Sequence, residues 1–310
     1  MKKIFLFAAA AMVSLSSCVQ TEDVYTGGLN EIGFKSAVTK AAIEGTTFEG
    51  SMTVAATLDY EKDGSYVEYF APYKFTGTAS TPWAGEPAAK YWPNAGNMQF
   101  IACYPYGIGT FTADYTGNTL AGYTVAGIAN QVNQNDVLFS DLLEVEAPQN
   151  AAQALLFHHA MTLLQVNFAT NVPTEEVKIT SASVANVVFG GDLTVTAAAT
   201  STAAWSNHTA AVATTEFENI TTNPLTDVLD ESATPLLILP SKSGENQTSI
   251  TVNYTLNGHA QTKTIDLSVY GEWKMGKKYI YNFTIGANEI KFTCTVDTWE
   301  EVIVGGGFTI

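Results

Sequence analysis

Arginine is absent from this chain of 310 residues, and all 14 of its basic side chains are lysines. Against 30 acidic residues they leave a formal net charge of −16. Proteins that bind nucleic acid depend on a basic surface, usually with arginine for bidentate phosphate contacts. The composition therefore excludes nucleic acid as a partner.

Cysteine is also scarce, with three residues far apart at Cys18, Cys103 and Cys294. This spacing excludes the disulfide framework of small secreted domains. Around Cys294 the apolar residues alternate, which places its thiol on the same face as Phe292 and Val296. The pattern predicts a buried structural thiol at Cys294.

Motifs that carry catalysis are missing as well. The chain has no nucleophile elbow, no His-Glu-x-x-His and no Asp-rich calcium loop. His158 and His159 are adjacent, so on a strand their rings point to opposite faces and do not converge on one ion. We expect no enzyme activity, no metal and no cofactor. A hydrolase would need two carboxylates facing each other across a cleft, and the sequence does not locate such a pair.

The first residues have the pattern of an export signal. Lys2 and Lys3 precede an apolar stretch over 4–13, and Leu15-Ser-Ser-Cys18 follows. That stretch is too short to span a bilayer, which needs about 20 apolar residues. Small residues directly before a cysteine resemble the lipobox of bacterial lipoproteins. The sequence thus predicts a signal peptide over 1–17 and a lipid on Cys18; the alternative is an ordinary secretory peptide in which Cys18 is incidental.

Apolar residues after this signal recur with a period of two. In the clearest case Ile250, Val252, Tyr254 and Leu256 share one face, and Asn257-Gly258 then supplies the positive φ angles of a type I′ turn. Similar units centre on Asp63-Gly64 and on Gly190-Gly191, over Val184 to Val195. Short strands with Gly, Asn and Asp turns predict an all-β protein built of antiparallel β-sandwiches. A polar stretch over 148–153 suggests a domain boundary between residues 145 and 160.

Aromatic residues concentrate before that boundary, at Trp83, Tyr91, Trp92, Tyr104 and Tyr106. They could form a stacking platform for sugar. Most aromatic side chains of a sandwich lie in its core, and Tyr91-Trp92 directly precedes an alternating strand. We favour core packing and keep Trp83, Tyr91 and Trp92 as candidate glycan contacts.

Several segments together resemble the fimbrillin family of Bacteroidetes, the subunits and tip adhesins of type V pili. They stand in the family's order over nearly the whole chain: the lipobox at Cys18, Ile32-Gly-Phe34, Thr39-Lys40-Ala41, Lys90-Tyr-Trp-Pro93, Phe100-Ile-Ala-Cys-Tyr-Pro105, Phe157-His-His-Ala160, Glu272-Trp-Lys-Met-Gly-Lys-Lys-Tyr-Ile-Tyr281 and Val296-Asp-Thr-Trp299.

This resemblance implies two tandem transthyretin-like sandwiches, export as a lipoprotein to the outer membrane, and no catalysis. It also implies proteolytic removal of the first strand and polymerisation by strand exchange with other pilus subunits. The organisation expected is a signal peptide over 1–17, a tether with a removable strand over 18–40, an N-terminal sandwich over 41–152 and a C-terminal sandwich over 153–310. Cleavage is expected between Lys40 and Ala41, although the best-known members are cut after Arg.

The two ends of the chain carry the pattern that strand exchange needs. Alternate residues are apolar in each, which lets each end fill a groove as an edge strand: Ile32, Phe34 and Val38 before the cut, and Val302, Val304, Phe308 and Ile310 at the C-terminus. The Gly run over 305–307 weakens strand propensity there, which also suits a capping, anchoring or tip subunit. The alternative is that each end is simply a native edge strand of its own domain.

The sequence thus predicts a structural subunit or adhesin of a type V-like pilus, located at the outer membrane and cell surface. The competing class is a monomeric surface lipoprotein that binds glycan through its aromatic patch. Retained lipid together with one-to-one oligosaccharide binding would favour the second class.

Overall fold

The computed structural model describes residues 31–34, 49–78, 81–241, 248–267, 272–287, 289–298 and 302–304, without the side chains of 297–298 and 302–304. Within these ranges the chain forms strands β1 (Gly33–Phe34), β2 (Gly50–Asp59), β3 (Val67–Gly77), β4 (Trp83–Glu86), β5 (Asn97–Tyr104), β6 (Thr110–Asp114), β7 (Gly122–Ala129), β8 (Leu138–Ser140), β9 (Leu143–Glu146), β10 (Leu155–His159), β11 (Thr162–Thr170), β12 (Val177–Ala185), β13 (Gly190–Thr196), β14 (Thr202–Ser206), β15 (Thr215–Glu216), β16 (Leu236–Ile238), β17 (Ser249–Leu256), β18 (His259–Asp266), β19 (Lys277–Ile285), β20 (Ile290–Thr298) and β21 (Val302–Val304). A 3-10 turn covers Thr116–Asn118.

The strands form four sheets, as the period of two predicts. Sheet I runs β1-β4-β3-β2-β5-β8-β10-β21, with β9 also paired to β5. Sheet II runs β14-β13-β7-β6, sheet III β16-β11-β19-β20, and sheet IV β15-β12-β17-β18. Pairing is antiparallel except between β11 and β19, which run parallel.

Two sandwiches result, and the all-β prediction is confirmed. Sheets III and IV enclose one core, with Phe168 and Phe283 from sheet III against Val252 from sheet IV. In the other sandwich, Ile101 of sheet I packs with Tyr123 of sheet II. Sheet I also encloses a core of its own, because its strands turn their other face inward around Met52, Phe75, Phe100 and Phe157.

Strands from both sides of residue 152 share sheets I and II. β10 pairs with β8 in sheet I, and β13 pairs with β7 in sheet II. The division of the chain at residue 152 stays a prediction, and the segments on its two sides are joined by backbone hydrogen bonds within sheets I and II.

The hairpin predicted at Asn257-Gly258 is confirmed. β17 and β18 pair along their whole length, and the turn residues have φ angles of 49° and 78°. The hairpin predicted around Gly190-Gly191 is wrong, because β12 belongs to sheet IV and β13 to sheet II. Gly190 instead permits close strand approach: an added Cβ would lie 2.1 Å from the carbonyl oxygen of Ile128 on β7.

Cys294 also differs from its prediction. It is opposite Tyr281 in the β19–β20 pair, on the face that the alternation indicates, but its side chain is exposed. β20 lies at the edge of sheet III, so the core face of this strand is only partly covered. Partial burial raises the pKa of the Cys294 thiol, and the hydrogen bond with Tyr281 lowers it. Burial has the larger effect, so the pKa of Cys294 is raised.

Candidate strand-exchange site

The short strand β1 fills a gap in sheet I. On one side it pairs antiparallel with β4, placing Gly33 opposite Ala84 and Phe34 opposite Trp83. On the other side the Gln153 N–H donates to the Gly33 carbonyl oxygen at 2.9 Å, and Phe34 forms a parallel bridge with Gln153. β1 therefore connects β4 to the segment that leads into β10.

The side chains on this segment reach the centre of the sheet I core. Ile32 and Phe34 are both 0% exposed, because they alternate around Gly33 and share the inward face. The Phe34 ring meets Phe75 edge to face at a centroid distance of 5.2 Å and Phe100 at 5.5 Å. Burying a side chain of this size stabilises a fold by roughly 1.5–3 kcal/mol.

A second segment holds the start of β1. The Ile32 N–H donates to the Lys90 carbonyl oxygen at 2.7 Å, and Glu31 forms a bridge with Tyr91. The Lys90 ammonium lies 3.7 Å from the centre of the Tyr73 ring, close enough for a cation–π interaction. The Tyr69 hydroxyl donates to the Tyr91 carbonyl oxygen at 2.9 Å. Burial raises the pKa of Tyr69, so this hydroxyl keeps the proton that it donates.

The last described strand, β21, lies in the same sheet. It pairs antiparallel with β10, with Val304 opposite Leu155 and Val302 opposite Phe157. β10 begins two residues beyond Gln153, the partner of β1. β1 and β21 thus both lie along 153–157, β1 parallel to it and β21 antiparallel.

The residues predicted for lipid attachment, cleavage and strand exchange fall into three groups. Ile32 and Phe34 lie in the core of sheet I as described above. For Val302 and Val304 the structure describes the backbone pairing and not the side chains. The remaining predicted positions lie outside the described residues: Cys18, Val38, Lys40, Ala41, Phe308 and Ile310.

The glycan contact considered for Trp83 and Trp92 is corrected by their burial. Trp83 is 0% exposed and Trp92 5%, so neither presents a ring face to solvent. Both belong to the sheet I core, where Trp92 meets Phe100 edge to face. Tyr91, between β4 and β5, is 56% exposed and stays a candidate contact.

The two histidines that end β10, His158 and His159, each contact a different aspartate. The His158 ring lies 2.9 Å from Asp141, whose carboxylate also accepts the Ser201 N–H at 2.6 Å. The His159 ring lies 3.0 Å from Asp136. In the part of the chain that the structure describes, no group of His, Cys, Asp and Glu side chains is arranged to hold a metal ion.

Sequence reasoning missed the partners of β1. Neither Gln153 nor β4 carries a motif, because each contacts β1 through backbone atoms that any residue offers.

Within the ranges of the chain that the structure describes, no helix has the length and apolar character that a membrane crossing requires.

Comparisons with known proteins agree with this architecture. The model of the fimbrillin-like family matches residues 39–299. A fimbrial protein of Bacteroides vulgatus superposes with a TM-score of 0.55 at 16% identity, covering 86% of this chain and 100% of that one. A candidate cell adhesion protein of Bacteroides uniformis superposes with a TM-score of 0.53 at 15% identity, covering 87% and 98%. No curated protein matches the chain.

Proposed function

The chain belongs to the fimbrillin-like family, and from this premise we propose that it is a subunit of a type V-like pilus that assembles by donor-strand addition. In this proposal it is exported as a lipoprotein through Cys18 and held at the outer membrane and cell surface. Cleavage between Lys40 and Ala41 then frees the segment that contains β1, and a strand from another subunit takes its place. The work of the protein is assembly and adhesion, without catalysis.

The proposal rests on the position of β1 in the core of sheet I. The segment 31–34 lies before the proposed cut, yet it places Ile32 and Phe34 in the core of sheet I. After cleavage this segment would be held by backbone pairing and these side chains alone. A strand with the same apolar pattern could then replace it and restore the lost core contacts.

The C-terminal segment repeats that pattern position by position. Val302, Val304 and Phe308 have the spacing of Ile32, Phe34 and Val38, and Thr309 corresponds to Thr39. A donor that runs in the direction of β1 would therefore offer an apolar side chain to each position. Within one chain β21 runs antiparallel to β10, opposite to the direction of β1, so the proposed donor is the tail of another copy or of another subunit.

Limited trypsin treatment of the chain beginning at Val19 tests this proposal. We expect N-terminal sequencing to give Ala41 as the new start and native gels to give a ladder of oligomers. Lys40→Gln should abolish both results, and Lys35→Gln is the matched control, since it changes a neighbouring lysine and should preserve them.

A second variant separates cleavage from assembly. A chain ending at Glu301 keeps the proposed cut and lacks the proposed donor, so trypsin should leave it monomeric. Adding a synthetic peptide of residues 302–310 to this cleaved monomer should give a one-to-one complex. Two results would contradict donor-strand addition by this tail. In the first, the chain with its full tail is cleaved at Lys40 and forms no oligomers; in the second, the chain ending at Glu301 forms oligomers after cleavage.

A further inference from the structure

Tyr106 stands between two neighbouring clefts of the surface and lines both. The first cleft, of about 240 Å³, contains Lys74, Glu86 and Pro87, and the second, of about 460 Å³, contains Asn133 and Asn135. Tyr106 is 50% exposed. It therefore offers apolar ring surface to a ligand between two sets of polar groups.

The backbone holds Tyr106 in place. Its N–H donates to the Ser51 carbonyl oxygen at 2.7 Å, at the start of β2. The Lys74 ammonium lies 5.8 Å from the centre of its ring. The backbone of Tyr106 is therefore ordered before a ligand binds, which lowers the entropy cost of binding.

The first cleft offers a charged acceptor that is only partly used. Glu86 Oε2 accepts the Thr76 hydroxyl at 2.6 Å and contacts the Lys74 ammonium at 2.9 Å. Among the residues that the structure describes, Oε1 makes no hydrogen bond. The Thr76 hydrogen bond and then Lys74 lower the pKa of Glu86, so the carboxylate is ionised at neutral pH and its charge is balanced by Lys74.

The second cleft offers side-chain amides on a braced loop. The buried Asn130 donates through its side chain to the Asn135 carbonyl oxygen at 2.7 Å and accepts the Asn135 N–H at 2.8 Å. Across the described ranges, the side-chain amides of Asn133 and Asn135 make no hydrogen bond. Gly127 lies alongside, and an added Cβ there would meet nothing within 4 Å, so the wall of the cleft is open.

We propose that these clefts form one binding groove for a short neutral oligosaccharide, with one sugar ring stacked on Tyr106. Sugars combine an apolar C–H face with hydroxyls that both donate and accept hydrogen bonds. An aromatic ring flanked by amides and a carboxylate matches that combination. The paired charges of Lys74 and Glu86 leave no net attraction for an anionic ligand, and the two clefts together are of the size that small ligands occupy.

This inference does not depend on strand exchange. The groove lies near Gly50, the first residue of β2, and neither β1 nor β21 lines it. The uncleaved monomer carrying Lys40→Gln should therefore bind sugar, so failure of assembly and failure of sugar binding are separate results.

Saturation-transfer NMR on that monomer tests the proposal, with lactose, maltotriose, cellotriose, mannotriose and chitotriose as probes. We expect at least one to show transfer strongest at the protons of a single sugar ring, and calorimetry then to give its affinity. Tyr106→Ala should weaken that affinity about tenfold, the loss expected for one aromatic stacking contact. Tyr106→Phe should keep it, and Asn133→Ala should weaken it.

The matched control is Tyr60→Ala. Tyr60 is 57% exposed and follows the far end of β2, roughly 30 Å from Ser51 by the rise of an extended strand. Circular dichroism must show every variant folded. The proposal is overturned if no probe binds, if Tyr60→Ala and Tyr106→Ala weaken binding equally, or if the groove binds a proline-rich peptide in place of every sugar.

Discussion

The ring of Phe34 meets the ring of Phe100 edge to face, with centroids 5.5 Å apart and ring planes at 81°. Phe100 lies in β5, which has neighbours on both sides in sheet I, whereas Phe34 belongs to the segment before the proposed cut. The stability of this core therefore depends on whatever strand occupies the β1 position.

The first prediction concerns that contact. Phe34→Ala in the uncleaved chain should lower the free energy of unfolding by about 3–5 kcal/mol, the usual cost of emptying a buried phenylalanine site. Urea denaturation measures it. Phe292→Ala is the matched control, since it removes the same atoms from a half-buried position on the edge strand β20 and should cost less. A loss from Phe34→Ala far below this range would mean that β1 contributes little to the core.

The second prediction tests the pairing that joins the two halves of the chain. Gly190→Ala would place a Cβ 2.1 Å from the Ile128 carbonyl oxygen, so β13 must move away from β7. We expect a loss of about 3 kcal/mol, at the upper end of what overpacking costs. Thermal or urea unfolding measures it.

Gly258→Ala serves as the control for that substitution. Gly258 has φ of 78° with open space around an added Cβ, so alanine there meets backbone strain and no clash. Its loss should be about 1 kcal/mol. If Gly258→Ala proves the more damaging variant, the close approach of β7 and β13 is wrong.

The period of two identified most of the fold because alternation reports which face of a strand is inward. It placed Ile250 and Val252 in the core, and it placed Ile32 and Phe34 together on one buried face. It gave the correct face for Cys294 but the wrong burial, because alternation does not say whether a strand lies at an edge.

The sequence pattern does not indicate which distant strands pair with one another. Glycine serves both tight turns and close strand approach, so Gly190-Gly191 looked like a hairpin turn although it allows β13 to contact β7. The partners of β1 are backbone groups of Ala84 and Gln153, which have no sequence signature. The same limit applied to the saccharide groove, since Tyr106 and Asn133 are far apart in the chain.

The third prediction concerns the lipid on Cys18. When the full chain is expressed in a bacterium that processes lipoproteins, an alkyne-labelled fatty acid should be incorporated into it. Cys18→Ala should abolish the label, whereas Cys103→Ala, the control, should retain it because Cys103 does not directly follow the export signal. Labelling that survives Cys18→Ala, or its absence from the unaltered chain, would contradict a lipoprotein.

The fourth prediction follows from the burial of Cys103, which raises the pKa of its thiol from 9.0 to about 12. Unfolding exposes this thiol, which then ionises near its ordinary pKa. Between these two values the unfolded state holds fewer protons than the folded state, so stability falls as the pH rises from about 9 towards 12. At about pH 10 the thiol alone should have removed roughly 1 kcal/mol.

Cys103→Ala removes this thiol together with its effect on the neighbouring Tyr123, whose pKa burial and then Cys103 raise, whereas the other buried tyrosines titrate in both proteins. Urea unfolding at about pH 8 and about pH 10 should give the variant a shallower loss of stability than the unaltered chain, by roughly 1 kcal/mol. Cys294→Ala is the control; its thiol is exposed, so its removal should change the slope less. Parallel pH profiles for the unaltered chain and Cys103→Ala would show that this thiol does not stay protonated in the folded core, and that the packing of β5 against sheet II is looser than the burial of Cys103 implies.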